Sequence, residues 1–70
     1  MVLVFKTNVQ KVKQGKRIIE MLLSYFPGSE ISFDLDDCDK VLRIKYNRIL
    51  TSGIINLVNK YGFNCEELQD

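Results

Sequence analysis

The side chains that could do chemistry in this chain are few. Cys38 lies within Asp36-Asp37-Cys38-Asp39, and Cys65 lies near the C-terminus. The acidic stretch invites a metal reading, in which the carboxylates and neighbouring backbone oxygens hold a hard cation. It lacks the ligand number and spacing of a known metal-binding loop, and adjacent carboxylates disfavour a Cys38 thiolate. The plainer reading is a solvated turn. Cys65 reads as a small hydrophobe at the core or sheet edge, as a free cysteine usually is. The sequence has no histidine, which removes the commonest general base and the commonest zinc ligand. Ser24, Ser29, Ser32, Ser52, Thr7 and Thr51 therefore lack the partner that would activate a hydroxyl, and no glycine-rich phosphate loop is present. The expectation is a protein that is not an enzyme and carries no cofactor. A second kind of chemistry is electrostatic. Lys11, Lys13, Lys16 and Arg17 gather within one short stretch, either as an ordinary solvated helix face, with the Asp36-Asp37-Asp39 tip able to balance it within the molecule, or as a docking surface for an acidic partner.

The elements that must position these residues can be read from apolar spacing. Val2 to Phe5 is a short β-branched and aromatic run, hence a strand. From about Gln10 to Phe26 the apolar residues Val12, Ile18, Ile19, Leu22, Leu23 and Phe26 recur at helical spacing, and Pro27-Gly28 ends the helix. Ile31, Phe33 and Leu35 alternate with polar residues, as do Leu42, Ile44 and Tyr46, giving two half-buried strands. Placing Leu35 opposite Leu42 and Phe33 opposite Ile44 sets Asp34 across from Arg43, a favourable cross-strand pair. Thr51 or Ser52 is expected to cap a second helix that buries Ile54, Leu57, Val58 and Tyr61 and stops at Gly62. A short edge strand is expected between Phe63 and Leu68. The order β-α-β-β-α-β predicts an α+β, ferredoxin-like sandwich over residues 1–70, read as one domain, with a four-stranded antiparallel sheet and two helices on one face.

These pieces together resemble the heavy-metal-associated domain, the fold of small copper chaperones. The likeness rests on Ile18-Ile19-x-x-Leu22-Leu23, Phe26-Pro27-Gly28, Ile31-x-Phe33-x-Leu35, Val41-Leu42-x-Ile44-x-Tyr46 and Ile54-x-x-Leu57-Val58-x-x-Tyr61-Gly62-Phe63, and it covers nearly the whole chain. The resemblance implies a metal site in an M-x-C-x-x-C motif after the first strand, where two thiolates clasp a soft cation at a helix N-terminus. Here Gln10 falls at the methionine position and Val12 and Gly15 at the cysteine positions, so the motif is degenerate. The resemblance also implies that the first β-α turn, the central hairpin tip and the turn after the second helix share one end of the domain, which would bring Cys38 towards the family's metal position. It further implies partner recognition through charges at that end. Two readings follow. The chain is a non-enzymatic interaction module with a degenerate metal site, or it handles metal through an unconventional site around Cys38 and the acidic tip.

Composition bounds both readings. Ten basic and nine acidic residues leave a formal net charge of +1, which offers no chain-wide attraction for nucleic acid or an anionic membrane. Val41 to Tyr46 lacks the paired aromatics that stack RNA bases. No stretch approaches the apolar length of a membrane helix, and Met1 to Lys6 lacks the basic region and cleavage site of a signal peptide. The expected location is the cytoplasm, with reduced thiols and no Cys38–Cys65 disulfide, since the last strand should lie at the sheet edge opposite the central hairpin. The expected partner is a protein whose identity the sequence leaves open. Val2, Val4 and Val41 point to the sheet face away from the helices, so a homodimer through that face or through an edge strand is also open.

Overall fold

The computed structural model describes residues 2–35, 40–46 and 51–68. Its elements are β1 (Val2–Thr7), α1 (Val12–Tyr25), β2 (Glu30–Asp34), β3 (Val41–Lys45), α2 (Thr51–Lys60) and β4 (Cys65–Glu67). The strands form one antiparallel sheet in the order β2-β3-β1-β4, and both helices cover the same face. This is the ferredoxin-like arrangement. Alternation places Leu3 and Phe5, Leu42 and Ile44, and Ile31 and Phe33 on the helix side, because successive strand side chains point to opposite faces. Ile18 and Leu22 from α1 and Ile54 and Val58 from α2 meet that surface, with Val9 closing the first turn, and all are buried. No described helix is long and apolar enough to cross a membrane.

Local chemistry ends the helices where the sequence indicates. The Phe26 N–H donates to the Leu22 carbonyl at 2.8 Å, and Pro27 cannot extend the ladder. At the end of α2, Gly62 adopts φ +102, a left-handed conformation that costs glycine nothing. Gly62 N–H then donates to Asn59 O at 3.0 Å and Phe63 N–H to Val58 O at 3.1 Å. This is the Schellman pair of bonds, and Phe63 closes it by folding back onto the core.

The structure departs from the sequence-based reading at four places. Phe33 pairs with Leu42 and Ile31 with Ile44, two residues from the expected register. A two-residue shift preserves every face, so apolar alternation alone does not exclude it. Asp34 still reaches Arg43, now diagonally, at 3.8 Å, and Lys45 approaches Glu30 at 3.9 Å on the same open face. Val41, expected on the sheet face away from the helices with Val2 and Val4, is only 4% exposed. Val12 and Leu23 sit on the flank of the α1 stripe and remain exposed, as does Tyr61 beyond α2. Thr51 lies inside the helix it was expected to cap, and Ser52 follows it. The last strand, Cys65–Glu67, falls within the expected span from Phe63 to Leu68.

Candidate functional site

The end of the domain where β1 runs into α1 is held by a small set of polar contacts. Thr7 Oγ1 donates to the Lys40 carbonyl at 2.6 Å, and the Thr7 N–H donates to the same oxygen at 3.2 Å. Thr7 Oγ1 also accepts from the Val9 N–H at 3.3 Å, which turns the chain towards the helix. The Asn64 N–H donates to Asn8 Oδ1 at 2.8 Å. The first β-α turn, the base of the β2–β3 hairpin and the turn after α2 therefore converge, while the hairpin tip lies outside the described residues. Lys40 sits at φ +50, a costly conformation for a side chain with a Cβ. Its backbone carbonyl binds Thr7, and its Nζ donates to Leu35 O at 2.9 Å, so contacts on both sides hold it there.

At this end α1 begins with Lys11 as N-cap, in extended conformation at φ −118 and ψ 143. An ammonium has no acceptor for the first helical N–H groups. Only the return half of a capping box is made. Gln14 Oε1 accepts from the Lys11 N–H at 3.2 Å and from the Gln10 N–H at 3.4 Å. Glutamine at the third helical position is the sequence signal for this bond. The first turn has no acidic residue. Lys11, Lys13, Lys16 and Arg17 are all exposed and make no ion pair with another described residue. Lys11 and Lys13 stand at the positive end of the helix dipole, the end that favours anions, and Lys16 and Arg17 follow in the next turn. The start of α2 is arranged in the opposite sense, with Glu67 Oε2 accepting from Thr51 Oγ1 at 3.5 Å.

Gln10, Val12 and Gly15, the positions that the resemblance aligns with a metal motif, offer no soft donor. Val12 is 62% exposed and aliphatic. Gly15 faces β2, where a Cβ would lie 3.3 Å from the Phe33 ring. Glycine at this mid-helix position costs about 1 kcal/mol of helix propensity relative to alanine, and it permits the close approach of α1 to Phe33. These residues do not fit a thiolate-bound metal. Asp36, Asp37, Cys38 and Asp39 lie outside the described residues. Among the described residues, no cluster of three or more potential metal-ligating side chains occurs.

Cys65 pairs with Thr7 across the β1–β4 ladder and packs against the core. Burial pushes its thiol from an ordinary 9.0 to about 12. The neutral thiol is the form the fold favours, so this contribution to stability is complete below the ordinary value of 9.0 and is lost as pH rises towards the folded value. In a Cys38→Ser background, stability should therefore decline from about pH 9 upwards. The further change Cys65→Ala should flatten that decline in urea titrations across the alkaline range, and an unchanged slope would remove Cys65 as its source.

Between α1 and the edge strand β2 runs a groove of about 330 Å³, lined by Val12, Gly15, Lys16, Ile19, Phe33, Asp34 and Leu35. The sequence marked its apolar members as core residues. Only strand order makes them a groove, because β2 has β3 on one side and no described strand on the other. Compared with protein-family models, curated proteins and solved structures, the chain matches none.

Proposed function

We propose that this chain is a non-enzymatic binding module that docks a protein partner through the basic start of α1. The carrying observation is the set of four exposed cations, Lys11, Lys13, Lys16 and Arg17, in the first two turns of α1, none of which forms an ion pair with a described residue. Unpaired surface cations have a modest energetic effect, but several on one rim speed and orient the approach of an acidic surface. The resemblance to heavy-metal-associated domains supports the same reading, since that scaffold presents this end to partners. The aliphatic and glycine residues at the motif positions argue that metal transfer has been lost from it.

Two measurements test the reading. Titrating the reduced protein with Cu(I) and with Zn(II) against a competing chelator should reveal no tight one-to-one site. Tight binding abolished by Cys38→Ser would overturn the proposal in favour of metal handling at the acidic tip. Partners captured by the wild-type chain should be lost when Lys13, Lys16 and Arg17 are changed to glutamate, and retention of the same partners would sink the docking surface.

A further inference from the structure

We draw no further inference here: the strongest candidate, the open polar cavity of about 460 Å³ where the end of β1, the last turn of α2 and β4 meet, is lined by the solvent-exposed side chains of Asn8, Asn59 and Asn64 with Lys6 and Glu66 beside them, and nothing in the structure shows what ligand would fill it.

Discussion

Phe5→Ala should remove about 3–5 kcal/mol of folding stability, the usual cost of emptying a buried aromatic site. Phe5 is fully buried and lies in β1, one of the two interior strands of the sheet. It pairs with Leu42 on one side and Glu67 on the other. Its ring faces the cluster in which Ile18 and Leu22 of α1 and Ile54 and Val58 of α2 meet the sheet. Each of those elements would lose contacts at once, and a cavity bounded by two helices and three strands cannot collapse fully. A domain of 70 residues is held by about 4–10 kcal/mol in total, so this single change consumes much of that margin. Urea unfolding should show a midpoint lowered by about a third or more, and Val12→Ala at an exposed position should stay within about 0.5 kcal/mol of wild type. A loss below about 1 kcal/mol for Phe5→Ala would mean that the core is not organised around β1.

The core was legible from sequence because Phe5, Ile18, Leu22, Leu42, Ile44, Ile54 and Val58 all obey the period of their element. What periodicity could not supply is what depends on distance in three dimensions. A strand pattern repeats every second residue, so it assigns Phe33 and Ile31 to the helix face without choosing whether Phe33 faces Leu42 or Ile44. Helical spacing places Val12 and Leu23 on the flank of a stripe, and whether a flank is covered depends on which strand lies beneath it. Here β2 is the sheet edge, and the flank stays open. The four cations of the candidate site were visible as a run in the sequence. Their isolation was not, because it depends on which acids the fold brings near. Glu67 reaches the start of α2 and none of the described acids pairs with the start of α1. Gly15, which the resemblance aligns with a cysteine position, is explained only by Phe33 arriving from another strand. The Thr7–Lys40 and Asn8–Asn64 contacts join loops that ordinary turn residues supply, and no local pattern announces them.

Lys11→Asp should stabilise the fold by about 1–2 kcal/mol, the sum of a restored N-cap and a favourable charge at the helix start. Lys11 already has the extended backbone conformation of an N-cap, and its carbonyl already accepts from the Gly15 N–H at 3.1 Å. What is missing is a side-chain acceptor for the N–H groups of the first turn. Aspartate supplies it, and Gln14 remains in place to accept from the residue-11 N–H, completing the reciprocal box. The exchange also replaces a cation by an anion where the dipole is positive. In a domain of this size each 1 kcal/mol raises the melting temperature by about 4–8 °C, so thermal unfolding resolves the effect. Lys11→Met separates its two sources, since it removes the charge without adding an acceptor and should recover only a few tenths of a kcal/mol. The same variant weighs the functional reading. If the cations at the start of α1 form only a solvated face, Lys11→Asp raises stability and leaves partner capture unchanged. If they form a docking rim, stability rises while capture of an acidic partner falls, because a carboxylate now stands among Lys13, Lys16 and Arg17. A helix that begins with a poor cap and four cations that pair with no described residue forgoes stability that one substitution can restore, and the proposed docking role would give a physical reason for keeping it so.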